Sequence, residues 1–297
     1  MAEITLGFKA FDIHELACHA VADYSGLYKK YGLQPRLVDL RKEPNDVLPA
    51  DGFQVACAAA LVAWLSGADA RVLLVAAQRP MFWLYVADEI RHWDELHGVV
   101  AGYPHSTPPA LFFSALLARH NLTLANVNLK IGFSDDERLS MLTSGVAQAA
   151  IFSSALPGET LERQGFRLLC FFGDEIRAPT TGLAATSNYC RRDPALVAAC
   201  CACFQEALTI IHNDSELAAA ALCASDLPVD STGVQSVRLL QQCYSWRGEA
   251  LPDICQRGAN IVAGALEITN PRSVNELYDF SILSAERPLS ITFAPES

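Results

Sequence analysis

Residues 4–40 read ITLGFKAFDIHELACHAVADYSGLYKKYGLQPRLVDL. Residues 4–8 are a short apolar run, residues 15–31 carry apolar side chains at helical spacing up to Gly32, and residues 37–40 return to an extended pattern. Strand, helix and strand joined in this way form a βαβ unit, whose strands run parallel because the helix carries the chain back. The logic repeats downstream. Residues 53–57 read as a buried strand, 59–65 as a helix, 71–77 as a strongly apolar strand, and 82–87 as an alternating strand running into Asp88. Continuous apolar runs mark strands buried on both faces, so the expected fold is α/β with a parallel, doubly wound sheet.

A second block follows the same pattern. It has strands at 98–102, 127–131, 147–152 and 166–171, and helices at 108–120, 134–143 and 155–164. Beyond Thr186 the alternation stops, and a long helix over 193–212 opens a helical remainder reaching about residue 288. This predicts two lobes without a flexible linker: residues 1–90 and 179–297 in the first, 91–178 in the second. The chain is expected to cross between them at 87–95 and 174–181.

Composition narrows the function classes. The chain has 297 residues, 51% hydrophobic and 19% charged, enough apolar material for a core and too little charge for disorder. Its net charge of −11 and its few lysines (Lys9, Lys29, Lys30, Lys42, Lys130) argue against a nucleic-acid partner. The densest apolar stretch, 57–77, is broken by Ser66, Gly67, Asp69 and Arg71, so membrane insertion is not expected. The first residues carry no basic, apolar and cleavage-site pattern. The chain as it stands is therefore expected in the cytoplasm, and in the periplasm if a signal sequence was removed. Ten cysteines show neither a disulfide framework nor zinc spacing. Cys200 and Cys203 lie one helical turn apart while Cys201 points elsewhere, so no metal and no cofactor are expected there.

Four phrases stand out in order along the chain: HAVADYSGLYKKYGLQP at 19–35, ELHGVVAGY at 95–103, LTSGVAQAAI at 142–151 and NELYDFS at 275–281. Together they resemble the NMT1/THI5-like solute-binding proteins, which serve ABC importers of sulfonates, taurine, nitrate, bicarbonate and pyrimidine precursors. The resemblance spans about residues 3–285. It implies a type II periplasmic-binding-protein-like fold, two α/β lobes joined by a hinge around a ligand cleft, and an ABC permease as partner. The same family includes a pyrimidine-forming enzyme that uses a lysine-bound pyridoxal phosphate and a CCCFC iron motif. This chain departs at both points: it has no Lys between Lys42 and Lys130, and its Cys200-Cys-Ala-Cys-Phe lies in a later helix.

In such a fold the ligand sits at the C-terminal ends of strands and the N-termini of helices. The segments so placed supply the candidate binding residues: Phe11, Asp12 and His14; Ala58; Arg79; Tyr103, His105, Ser106 and Thr107; Ser153 and Ser154; Thr180 and Thr181. Arg79 offers a bidentate grip on an anion, or else pairs with a surface acid. Ser106 or Thr107 is expected to cap the following helix, and the resemblance implies that this loop donates to the ligand's anionic group. His14 and His105 offer hydrogen bonds, or are merely structural. Phe11, Phe82, Trp83 and Tyr103 offer stacking, or fill the lobes. Asp12 disfavours an anion unless Arg79 or His14 neutralises it, which leaves a zwitterionic or cationic ligand open.

Enzymatic signatures are sparse. Gly-x-Ser-x-Gly, Walker, His-Glu-x-x-His and Gly-x-Gly-x-x-Gly patterns are absent. Cys18 has His14 or His19 as a candidate partner, His14 being four residues away on one helix face, with no third orienting group in view. Two readings stand: a protein that closes two lobes over a polar or anionic organic ligand, or a cytosolic enzyme or sensor on the same frame (desulfinase-, dehydratase- or pyrimidine-synthase-like).

Overall fold

A computed structural model describes residues 1–45, 47–154 and 158–283. The first lobe opens with β1 (Ala2–Phe8), α1 (Ile13–Tyr24), α2 (Leu27–Lys30) and β2 (Leu33–Asp39), followed by β3 (Phe53–Gln54), α3 (Cys57–Leu65) and β4 (Arg71–Ala77). One helix was expected over 15–31; two form, because Ser25 and Gly26 are poor helix formers and Gly26 turns left-handed at φ 69°. The strand expected at 53–57 is only two residues long, since Cys57 already begins α3.

The second lobe contains β5 (Trp83–Val86), β6 (Val99–Gly102), α4 (Pro108–Arg119), β7 (Asn128–Ile131), α5 (Asp135–Thr143), β8 (Ala149–Phe152), α6 (Gly158–Arg163), β9 (Arg167–Phe171) and α7 (Phe172–Glu175). The first three residues of the helix expected at 155–164 lie outside the described residues. The chain then returns through β10 (Thr181–Ala185) to α8 (Ser187–Arg192), α9 (Pro194–Asn213), α10 (Ser215–Ala224), α11 (Val234–Cys243) and α12 (Pro252–Ala265).

The sheets run β2-β1-β3-β10-β4 and β7-β6-β8-β5-β9. The α/β, two-lobed architecture is the expected one, but neither sheet is wholly parallel. β5 is antiparallel to β8 and β9, and β10 is antiparallel to β3 and β4. Each is the first strand after a crossing and enters its new sheet against the prevailing direction. The first crossing therefore lies at 78–82, before β5, and not at 87–95. The return lies at 176–180.

α9 is long and apolar enough to cross a membrane by length and composition. In this fold that apolarity is spent on packing. Val197, Cys200, Cys201, Cys203, Phe204 and Leu208 are buried in the first-lobe core, where α9 lies along α1.

Candidate ligand-binding cleft

β1 delivers the chain to Asp12, which caps α1: its Oδ1 accepts from the Glu15 N–H at 3.1 Å. The carboxyl is 1% exposed, and its Oδ2 accepts no hydrogen bond among the described residues. Burial pushes its pKa up to about 6, with Asp135 adding repulsion, while the Glu15 N–H and the nearby Ser153 and Ser154 hydroxyls pull the other way. Glu15 Oε2 accepts from Lys9 N at 2.8 Å and Ala10 N at 3.0 Å, fixing the loop that precedes the helix. Burial, and then the neighbouring Asp12, push Glu15 up to about 8.

His14 joins the lobes. Its backbone N–H donates to Ser154 Oγ at 3.0 Å, and its Nε2 lies 2.8 Å from Thr180 Oγ1. Thr180 Oγ1 gives its own proton to Ala77 O at 3.3 Å, so His14 Nε2–H is the donor of that pair. Burial lowers the imidazole to about 3, leaving it neutral at neutral pH, and its edge packs on Phe82 at 5.7 Å.

The opposite wall is built on α5. Ser134 Oγ accepts from the Glu137 N–H at 3.1 Å and caps the helix, which sets Asp135 and Arg138 one turn apart. Arg138 is 2% exposed and ion-paired with Asp135; it donates to Gly132 O at 2.6 Å and stacks 3.7 Å over the Tyr103 ring. Asp135 also accepts from the Ser153 hydroxyl at 2.6 Å and from Ser153 N at 3.3 Å. The guanidinium charge is thus met inside its own lobe. Its Nε is buried without a partner among the described residues.

Between these walls lies a cavity of about 440 Å3. Of the residues expected at the cleft, Phe11, Asp12, His14, Ala58, Tyr103, Thr107, Ser153, Thr180 and Thr181 line it, as does Phe82. Others are placed elsewhere, and these are corrections. Arg79 donates to Gly173 O at 2.6 Å and to Asp174 at 2.8 Å, bracing the first crossing against α7, away from the cavity wall. It lies two residues beyond β4, and its acceptors are on α7. His105 and Ser106 are exposed and off the wall. Neither Ser106 nor Thr107 caps α4 through its side chain; the Thr107 hydroxyl turns back to Pro104 O at 2.7 Å. Ser154 stands behind the wall as the acceptor from His14. Trp83 stacks on Phe171 at 5.1 Å, outside the cavity.

The Cys18–His14 contact that the spacing allows is not formed: the imidazole bonds Thr180, and Cys18 is packed in the first-lobe core with its thiol pushed up by burial. Sequence reading missed Glu15, Phe112, Phe133, Asp135 and Arg138, all on the wall. A usable signal was there: residues 132–138 follow a strand and open a helix with Ser134-x-x-Glu137, the same rule that singled out the other segments.

No protein-family model matches the chain, and no curated protein sequence matches it. Solved structures do. The periplasmic aliphatic sulphonate binding protein SsuA of Escherichia coli superposes with a TM-score of 0.71 at 16% identity, covering 93% of this chain and 97% of that one. A Candida albicans gene product described as having the generic periplasmic binding protein fold gives 0.72 at 9% identity, covering 98% and 100%. The desulfurization enzyme DszB gives 0.68 at 14% identity, covering 93% and 96%. The chain has the periplasmic-binding-protein fold.

Proposed function

We propose that this chain binds a small organic ligand in the cleft between its lobes and closes on it, as the solute-binding component of an ABC import system. The observation that carries the reading is the cavity of about 440 Å3 walled by buried polar groups from both lobes, a size suited to a small molecule. The two crossings beside it are the hinge, and lobe closure rather than chemistry is the functional event. The named function of the Escherichia coli neighbour supports this, and so does its periplasmic location, which favours the periplasmic over the cytoplasmic placement. DszB shows that enzymes also use this frame. Against a thiol-based chemistry here, no cysteine stands among the cavity-lining residues described.

A thermal-shift screen of organic amines, amidines, sulfonates, carboxylates and pyrimidines tests the reading, followed by small-angle scattering with any hit. A ligand at a hundredfold its Kd adds roughly 2.7 kcal/mol of stability, and the radius of gyration should fall as the lobes close. A screen in which no compound raises the melting temperature, or a tight ligand that leaves the radius unchanged, would count against it.

A further inference from the structure

We infer that the ligand of this cleft carries a positively charged N–H group, an amine or amidine on a flat apolar body, and places it against Asp12 Oδ2. This rests on the binding reading above and specifies its ligand. Asp12 lines the cavity, and its buried Oδ2 accepts no hydrogen bond among the described residues, so burial has stripped that oxygen of water without supplying a donor. A ligand N–H restores what burial removed.

The charges around it point the same way. Each cation on the wall has a partner: Lys9 Nζ donates to Glu43 O at 2.7 Å and Pro44 O at 2.9 Å, Arg41 chelates Asp39, and Arg138 pairs with Asp135, its Nε alone lacking an acceptor among the described residues. Arg79, the cation expected to receive an anion, is off the wall, and His14 is neutral. Acids on the same wall include Asp12, Glu43 and Asp136, with Asp135 paired to Arg138 and Glu15 holding its proton up to about pH 8. A sulfonate or carboxylate would enter against this field. The rings of Phe11, Phe82, Tyr103 and Phe112, with exposed Phe133, line the cavity and suit a flat body; Arg41 over Phe11 and Arg138 over Tyr103 show that cations already stack on two of them. The Thr181 hydroxyl, buried on the same wall beside Tyr244, gives a second polar anchor.

The test is calorimetric titration of the whole chain at pH 7.5 with two matched panels: benzamidine, benzylamine and 4-aminopyridine, against benzenesulfonate and benzoate. Binding is expected from the cationic panel only, and Asp12→Asn should weaken it at least tenfold. Asparagine still caps a helix, so α1 keeps its start. Should that variant fail to fold, the wild type supplies a second reading. The affinity for benzamidine should fall about tenfold per pH unit below about 6, where Asp12 takes up its proton. Groups facing Asp12 are Glu15 and His14 on α1, Asp135 and Arg138 on α5, Tyr103 after β6, Ser153 and Ser154 after β8, and Tyr244 after α11. Burial lowers His14 to about 3 and raises Tyr103 and Tyr244, and Glu15, near 8, lies above the window. Tight binding of the anionic panel alone would overturn this inference and leave the binding reading standing. Unchanged affinity in Asp12→Asn, or a pH-independent one, would also overturn it. No binding by either panel would overturn both.

Discussion

The His14 backbone N–H reaches the Ser154 hydroxyl at 3.0 Å, joining the start of a first-lobe helix to the end of a second-lobe strand across 140 residues of chain. Both groups are buried, so this is a contact that neither lobe can replace with water. The floor of the cleft is therefore part of the folded core.

Ser154→Ala removes the acceptor and leaves the His14 N–H buried without a partner. The expected loss is about 1 to 2 kcal/mol, read from urea unfolding. A variant as stable as wild type would mean that the two lobes are not held together at this point.

Arg79→Ala separates bracing from binding. The side chain is 16% exposed and its ionic partner Asp174 is 67% exposed, so the ion pair itself adds little; the bond to Gly173 O and the packing on Phe171 carry most of the effect. A loss of about 1 kcal/mol is expected with benzamidine affinity within twofold of wild type. A large loss of affinity would return Arg79 to the cleft.

The pH dependence of stability has a sign set by Glu15. Its folded pKa of about 8 lies above the ordinary 4.5, so the folded state holds the proton more tightly. That contribution is complete below 4.5 and is lost as pH rises through 8. Asp12, near 6, acts in the same direction at lower pH, and His14, lowered to about 3, opposes both below its ordinary 6.5. Between pH 6.5 and 8 Glu15 is alone among these three, so stability should decline there with a slope of at most about 1.4 kcal/mol per unit. Denaturation midpoints across that window should flatten in Glu15→Gln; an equal slope in the variant would remove Glu15 as its source.

Gly182→Ala should be the most damaging small change in the first lobe. Gly182 sits at φ +155°, where β10 inserts against β4, and an added Cβ would strike the Leu74 carbonyl. A loss above about 3 kcal/mol, or no soluble protein, is expected. Gly264→Ala on the exposed side of α12, where a Cβ meets nothing, is the control and should gain roughly 0.5 to 1 kcal/mol. Equal melting temperatures for the two variants would contradict the strand geometry.

Much of this protein is written locally. The βα alternation, the proline and serine starts of α4 and α5, and the core face of α9 follow from residue spacing, because 3.6- and 2-residue periods record which face is buried. The strand-end rule likewise brought Asp12, His14, Tyr103 and Thr180 to the cleft. Periodicity does not record which sheet covers that face. β5 has a strand pattern wherever it pairs, and only its ladders with β8 and β9 assign it to the second lobe and move the crossing to 78–82. Charges behave in the same way. Arg79 is a cation at a strand end in the sequence, but its acceptors at Gly173 and Asp174 are 94 and 95 residues away, and that closure keeps it from the cleft. Arg138 is an ordinary exposed-helix residue by pattern until Asp135 and the Tyr103 ring close over it. The orphaned oxygen of Asp12 has no sequence signature at all. It exists because one oxygen is spent on the helix cap while the other is buried beside a cavity that only the folded pair of lobes creates.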